Sequence, residues 1–436
     1  MPMKLIIHRG THEIGGSCVE LITATNRILI DFGIPLVSRD HQLFDARLLK
    51  GKNIQELKAQ GILPDIKGLY NDEKKGMDGI LISHSHLDHY GFLQYANPEI
   101  PIYLSQGADI LIDVSNIFVP AKVGKLNTRV VSNKKQLSIG DFNITPFLVD
   151  HPAFDAFAFL IEVEGRRLFY SGDFRAHGRK AILFKQIIER PPQNIDCLLM
   201  EGSALGREDA QYKTEEEVEK RFEEILRERK NITFLFASSQ NIDRIVSAYR
   251  ACLKTDSIFV IDIYTAFILD KLKKVSERIP QFNWRNIRVK FINSHTKALE
   301  RAGHIDLLYA YNKRKIEMPE ISRDKNRILM LARDNSVFPL LLNKIKDAAG
   351  AKIAYSMWDG YLSEEFRAFC KGKGLTMEYI HTSGHAKPKD LKAFASAMKP
   401  KMLVPIHTFE PNSYPNISRN VKIINDGEAI DLTSPK

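Results

Sequence analysis

Residues 81–91 read LISHSHLDHYG, and their reading decides the fold. Three histidines and one aspartate fall within six positions, directly after an apolar run. The run GILIS at 79–83 predicts a buried strand. His84 and His86 lie two apart at the end of that extended segment, so both imidazoles point to one side. Asp88 and His89 follow where the chain turns into a helix expected at Tyr90–Tyr95. One turn thus presents two ligand pairs to two neighbouring sites. Neutral imidazole and carboxylate suit Zn2+, and also Mn2+ or Fe2+.

The rest of the composition is unremarkable for a soluble protein. The chain has 436 residues, room for two or three domains and a large core. Hydrophobic residues make up 44% and charged residues 27%, as in ordinary globular chains. Cys18, Cys197, Cys252 and Cys370 are scattered, with no CxxC pair. That spacing argues against a disulfide framework or a cysteine zinc site and suits a reducing, cytoplasmic setting. MPMKLIIHRG has too short an apolar core for a signal peptide, and no stretch is long enough to span a membrane. The net charge of +10 allows an anionic polymer as partner, although solubility explains it equally well.

Outward from the histidine turn, the ends are strand-rich and the middle is helix-rich. Apolar runs at 3–8, 17–23 and 26–32 predict an antiparallel meander. Residues 34–78 read as irregular, either roofing a cleft or packing on the surface. A helix is expected over 106–118, and strands over 142–149, 156–163, 166–171 and 195–202. Glu164-Gly165 is a good hairpin turn between two of them. The stretch TEEEVEKRFEEILRERK at 214–230 predicts a charged helix, with Thr214 as cap and Glu217 completing a capping box. From there strands and helices alternate to about residue 375, the rhythm of a parallel α/β unit. TMEYIHTSGH, a helix at 388–398 and short strands close the chain.

The histidine turn is the HxHxDH motif of the metallo-β-lactamase superfamily, and the resemblance extends along the chain. LIDFG supplies Asp31, which by resemblance braces the metal loop without binding metal. VDHPAFD supplies His151 and YSGDFR supplies Asp173, the residue that bridges both metals. The resemblance implies one cation held by His84, His86, His151 and Asp173, and a second held by Asp88, His89 and Asp173. LVPIHTFEP offers His407 as the missing ligand of the second. The same motifs resemble the β-CASP nucleases, which insert an α/β domain between an acid and two later histidines. Here LLMEGS gives Glu201, HTSGHA gives His385 and PIHTF gives His407. HTSGHA is most similar to the phosphate-gripping segment of the ribonuclease J group.

The implied fold class is α/β. An αββα metallo-β-lactamase sandwich, discontinuous in sequence, carries an inserted parallel α/β β-CASP domain. The expected division is 1–205 and 373–436 for the sandwich and 206–372 for the insert. The implied cofactor is two Zn2+, with Mn2+ as the alternative. Two cations about 3.5–4 Å apart share one hydroxide and clamp a phosphodiester. Asp88, His385 and Glu201 are the expected catalytic residues, with Glu201 orienting His385 toward the leaving oxygen. The implied reaction is RNA hydrolysis leaving a 5′-phosphate, by 5′–3′ exonuclease or endonuclease action. His407 favours RNA, because DNA-repair members of the family usually carry valine at that motif. A DNA-directed nuclease, a small-molecule metallohydrolase of the same superfamily and a silent RNA-binding subunit are the alternatives. Single-stranded RNA is the expected partner. A homodimer is a further expectation, although ribonuclease J uses an additional C-terminal domain for dimer contacts and little of this chain follows His407.

Other residues read less sharply. His381, Ser383, Ser238 and Ser239 are candidate phosphate ligands; Ser239 alternatively caps the helix that SSQNIDR opens. Arg175 and Arg179 read as partners of carboxylates. His8, His12, His41, His177, His295 and His304 read as ordinary polar residues, with His177 the nearest to Asp173 in sequence. The basic run 271–290, with Phe282 and Trp284, either clamps a single strand or forms a solvated helix face beside a core aromatic. YSMWDGY at 355–361 is a candidate loop at the same cleft.

Overall fold

The computed structural model describes residues 3–37, 42–119, 122–207 and 211–432. His41 lies outside them. Three sheets organise the described residues. The first has seven strands in the spatial order Ala429–Leu432, Met3–Arg9, Cys18–Ile22, Arg27–Ile30, Gly79–Leu81, Ile102–Ser105 and Thr128–Val131. Its early strands pair antiparallel, as the meander requires, and the pairing turns parallel from Arg27–Ile30 onward. The second has six, in the order Met402–Ile406, Cys197–Glu201, Arg166–Tyr170, Phe157–Val163, Phe142–Leu148 and Leu137–Ile139.

The two sheets face each other across one core. Leu5, Val19, Ile28 and Leu81 of the first meet Phe142, Phe159, Leu168, Leu199 and Val404 of the second. Outer layers cover both backs. The helix Gln106–Phe118 and the segments 54–77 and 87–96 cover the first sheet through Leu57, Tyr70, Phe92 and Ala108. The helices Ala181–Glu189 and Pro388–Met398 cover the second through Phe184, Ile187, Leu391 and Phe394. Strands buried on both faces explain why CLLME and MLVPI read as unbroken apolar runs. The layering is the αββα sandwich. Much of the 34–78 stretch packs on the outside of the first sheet, where Ile54, Leu57, Leu63, Ile66 and Leu69 are buried.

The third sheet is wholly parallel, in the order Ile287–Lys290, Ile258–Asp262, Ile328–Ala332, Thr233–Phe236, Lys352–Tyr355 and Thr376–Tyr379. The helices Glu215–Arg227, Ile242–Lys254 and Ile263–Leu272 pack on one face. Val337–Leu342 and Glu364–Gly372 pack on the other. Thr376–Tyr379, placed in the C-terminal part by the sequence reading, bonds to Lys352–Tyr355 and extends this sheet.

Local details differ from expectation where capping decides. The helix after the histidines is Leu87–Tyr90, not Tyr90–Tyr95, so Asp88 and His89 lie inside it. Thr214 caps Glu215–Arg227 as expected, but the Glu217 carboxylate accepts from the Lys213 N–H rather than closing a box on Thr214. The cap of Ile242–Lys254 is Asn241, whose side chain accepts from the Arg244 N–H at 3.0 Å; Ser239 is not the cap. Glu164 and Gly165, with φ of 49° and 74°, form the tight hairpin turn. Phe282 packs on Tyr311 and Trp284 on Tyr249, the core-aromatic alternative, while the preceding helix ends at Leu272. Among the described residues no helix is long and apolar enough to cross a membrane.

Candidate metal centre

The sandwich gathers its chemistry at strand ends. Gly79–Leu81 delivers the histidine turn, Arg166–Tyr170 delivers Asp173, and Cys197–Glu201 ends on Glu201. Met402–Ile406 delivers His407, which sits at φ 55°. The result is three adjoining groups: His84, His86 and His151; Asp88, His89, Asp173 and His407; Asp173, Glu201 and His385. Within each, the potential ligand atoms lie within 4.8 Å of one another. Asp173 joins them: its Oδ2 is 3.3 Å from His89 Nε2, 3.6 Å from His407 Nε2, 3.7 Å from His385 Nδ1 and 3.9 Å from His84 Nε2. All seven expected metal ligands therefore meet at one place.

The donors are arranged as cation ligands must be. The Nε2 atoms of His84, His89 and His407 and the Nδ1 of His385 are buried without a hydrogen-bond partner. Such atoms are costly unless something else satisfies them. His151 Nδ1 donates to the Gly384 carbonyl at 2.9 Å, which leaves its Nε2 lone pair facing His86 Nδ1 at 3.2 Å. Burial holds His84, His86, His151 and His407 below the ordinary histidine range, so they stay neutral and keep their lone pairs. Burial opposes charge on His89 as well, but Asp173, Asp88 and Asp31 outweigh it and raise its proton affinity. Burial likewise works against ionised Asp173, yet His407, His89 and His385 hold it well below the usual carboxylate range. Buried imidazoles with unpaired ring nitrogens gathered around one carboxylate fit divalent-metal binding.

Supporting contacts fix each ligand. Asp31, buried and at φ 58°, accepts from the Ser83 N–H at 2.7 Å, the Ser83 hydroxyl at 2.8 Å and the Tyr170 hydroxyl at 2.7 Å. Its Oδ2 also takes the His89 Nδ1–H at 2.8 Å, which turns His89 Nε2 toward the centre. This is the bracing position that the resemblance implied. Ser17 Oγ lies 2.9 Å from His407 Nδ1. Glu201 accepts from the Ser203 N–H at 2.9 Å and the Ala386 N–H at 3.1 Å, and its Oε2 is 3.5 Å from His385 Nδ1. Burial disfavours charge on His385, but Glu201 and Asp173 outweigh it and raise its proton affinity.

The HTSGHA loop is held from below by a buried ion cluster. Arg175 is fully buried between Asp243 at 2.5 Å, Glu215 at 3.3 Å and Asp150 at 3.5 Å. Glu215 also meets Arg244 at 2.9 Å, and Arg179 pairs with Glu219. Arg175 and Arg179 thus pair with carboxylates, as expected. Arg175 and His177 both donate to the Ser383 carbonyl, at 3.1 and 3.0 Å. His177 was missed by the sequence reading; its place four residues after Asp173 carried no signal of that contact. The Ser383 hydroxyl accepts from the His385 N–H at 3.1 Å. His381 has a buried Nδ1 without a partner. Ser239 is buried against Thr265 at 2.7 Å and bonded to Arg333, so Ser238, exposed beside it, is the hydroxyl of the pair open to a phosphate. His8 pairs with Glu20, His295 lies near Asp262, and His12 bonds Thr11; none joins the centre.

Comparison with known proteins agrees with this geometry. A family model described as "Beta-lactamase superfamily domain" matches residues 60–229, which carry the histidine turn, His151 and Asp173. Over that stretch the chain matches the metallo-β-lactamase superfamily domain. A second model, "Zn-dependent metallo-hydrolase RNA specificity domain", matches residues 374–413, which carry His385 and His407. Within the superfamily, ribonuclease J of Helicobacter pylori is 22% identical over 97% of this chain and 60% of its own length. Ribonuclease J of Synechocystis sp. is 20% identical over 100% of this chain and 66% of its own. The chain spans about 60% of the length of the Helicobacter relative. A crystal structure of a protein of unknown function from Enterococcus faecalis V583 shares the fold. It aligns over 99% of this chain and 100% of that one, at a TM-score of 0.78 and 21% identity.

Proposed function

We propose that this metallo-β-lactamase protein is a metal-dependent ribonuclease. The observation that carries the reading is the junction of two cation cradles on Asp173 with the His385–Glu201 pair beside them. His84, His86 and His151 would hold one cation; Asp88, His89 and His407 would hold the other, with Asp173 between. When bound, such a pair supplies Lewis acidity toward a phosphodiester and lowers the pKa of water at neutral pH. The chain's own residues do the rest. Asp31, Ser17 and Gly384 aim the imidazoles. His385, oriented by Glu201, stands where a proton is needed at the leaving oxygen. Asp88 is the other residue we assign to catalysis. Ser238, Ser383 and His381 are the residues we assign to substrate phosphates, a set that suits an extended anionic polymer better than a compact metabolite.

The substrate we assign is single-stranded RNA, cut to leave 5′-phosphates. The RNA-specificity match and the ribonuclease J relatives support it. Two Zn2+ are the assigned cofactor, and a cytoplasmic setting suits four unpaired, buried cysteines. The three-part division at 205/206 and 372/373 is our reading, with the insert sheet carried on to Tyr379 by hydrogen bonding. The test is incubation of zinc- or manganese-loaded protein with 5′-labelled RNA bearing a monophosphate or a triphosphate, beside a DNA strand and a lactone. Product ladders from RNA alone support the reading. Turnover of DNA or lactone with intact RNA overturns it.

A further inference from the structure

The loop YSMWDGY at 355–361 joins the strand Lys352–Tyr355 to the helix Glu364–Gly372, and no step assigned above uses it. Its turn is tight. A Cβ on Gly360 would meet the Trp358 ring at 2.4 Å, so glycine lets the chain fold back over the indole. Trp358 and Tyr361 pack edge to face with centroids 5.2 Å apart. The Arg207 guanidinium lies over the Trp358 ring at 5.2 Å. Trp358 is half-buried, whereas Tyr361 is 45% exposed and Arg207 is exposed.

The place of this stack matters more than its existence. Arg207 lies six residues after Glu201, at the start of the insert, so it is tethered close to the centre. Trp358, with Tyr361 packed on it, reaches Arg207 from the far end of the insert. The loop adjoins the HTSGHA segment, because the Ser356 hydroxyl donates to the Ile380 carbonyl directly before it. Among the described residues the Arg207 guanidinium has no hydrogen-bond or ion-pair partner, and only its backbone N–H donates, to the Ala204 carbonyl. An exposed aromatic and an uncommitted planar cation at the mouth of a polyanion-cleaving centre have an obvious use. Every base has a π-face, so stacking contributes affinity without sequence preference. Arginine stacks on an aromatic face and still offers its donors to a phosphate.

We propose that Trp358, Tyr361 and Arg207 form a nucleotide subsite at the edge of the metal centre, where a base of single-stranded RNA stacks on the aromatic pair and Arg207 meets the adjoining phosphate. This inference rests on the ribonuclease reading. The three groups come from two segments far apart along the chain, at the two ends of the insert.

The test uses metal-loaded protein and a phosphorothioate-linked oligoribonucleotide that resists cleavage. In a Trp284→Phe background, tryptophan emission comes from Trp358 and is quenched on titration with the oligonucleotide. Trp358→Ala and Tyr361→Ala each raise Kd about tenfold, the size of one lost base stack. On cleavable RNA the same changes raise KM more than they lower kcat, and Trp358→Phe restores most of the loss. Arg207→Gln weakens binding and flattens its salt dependence. Equal Kd and KM in wild type, Trp358→Ala and Tyr361→Ala, with RNA still cleaved, overturn the subsite and leave the ribonuclease reading standing. Wild-type protein that neither binds nor cleaves RNA overturns both. Should Trp358→Ala fail to fold, unquenched Trp358 emission in the folded Trp284→Phe protein decides against the subsite.

Discussion

The Nε2 atom of His407 lies 3.7 Å from Oδ2 of Asp88, although the two residues come from opposite ends of the chain. The parallel pairing of Met402–Ile406 with Cys197–Glu201 brings them together. His407 closes the second cradle only because the insert leaves and re-enters the sandwich beside that strand.

His407→Ala should therefore remove one cation and spare the other. The cradle of His84, His86 and His151 does not touch His407, whereas Asp88, His89 and Asp173 lose their fourth donor. Metal analysis after dialysis should fall from about two equivalents per chain to about one. Hydrolysis should fall by more than the roughly 10- to 100-fold typical of losing a residue that merely supports a ligand. Two retained equivalents would show that His407 binds no metal.

Asp31 takes four hydrogen bonds in a site without solvent, from Ser83 twice, His89 and Tyr170. Asp31→Ala leaves those donors buried and unpaired, at about 1–3 kcal/mol each before relaxation. We expect a loss of roughly 3–5 kcal/mol in urea unfolding of the metal-free protein, among the larger single-site effects. Zinc affinity should drop roughly 10- to 100-fold, because His89 loses the partner that aims its Nε2. Unfolding midpoints and competitive chelation measure the two separately. A variant as stable as wild type would mean that Asp31 is not a brace.

Arg175 and His177 converge on the Ser383 carbonyl, two residues before His385. His177→Ala removes one of those donors without touching a metal ligand. Zinc content should stay at the wild-type level while kcat falls about tenfold, the scale of a lost supporting contact. His177→Gln, which keeps a donor, should recover part of it. A fall in metal content alongside kcat would point to general collapse of the centre instead.

How much of this the sequence shows depends on distance along the chain. HxHxDH is legible because its ligands follow one another on one strand end, where a period of two fixes their direction. The helix boundary beside it was not. His86 is extended at φ −88° and ψ 143°, so the helix starts at Leu87 and carries Asp88 in its first turn, where an acid is favoured. Ser239 and Asn241 are both good caps by residue type; which one caps is decided by Ser239 bonding Thr265 of the helix Ile263–Leu272 and Arg333. The His177–Ser383 contact joins two loops far apart in sequence, and only the stacked layers reveal it. Resemblance supplied Asp31, Asp173, His385 and His407, which local pattern alone could not connect to the turn.

The pH dependence of stability offers a last check, through two histidines that bind no metal in this assignment. Burial, with Arg175 and Lys387 beside it, pushes His177 down to about 4. Burial, with Arg244 beside it, pushes His381 down to about 3. Both fold in the neutral form, whereas an exposed histidine titrates near 6.5. Their folded values lie below their unfolded ones, so on acidification the unfolded chain takes up protons first. Stability should then fall as pH drops from about 6.5 towards 4, by up to about 1.4 kcal/mol per pH unit for each histidine. The contribution of His177 levels off below about 4 and that of His381 below about 3. Urea unfolding of metal-free protein between pH 7 and 5 measures the slope. The metal-ligand histidines add their own slope, but it is common to wild type and a His177→Gln, His381→Gln double variant, so the difference isolates these two. The variant should lose less stability on acidification than wild type. Parallel curves would mean that burial beneath the HTSGHA loop does not hold these two imidazoles neutral.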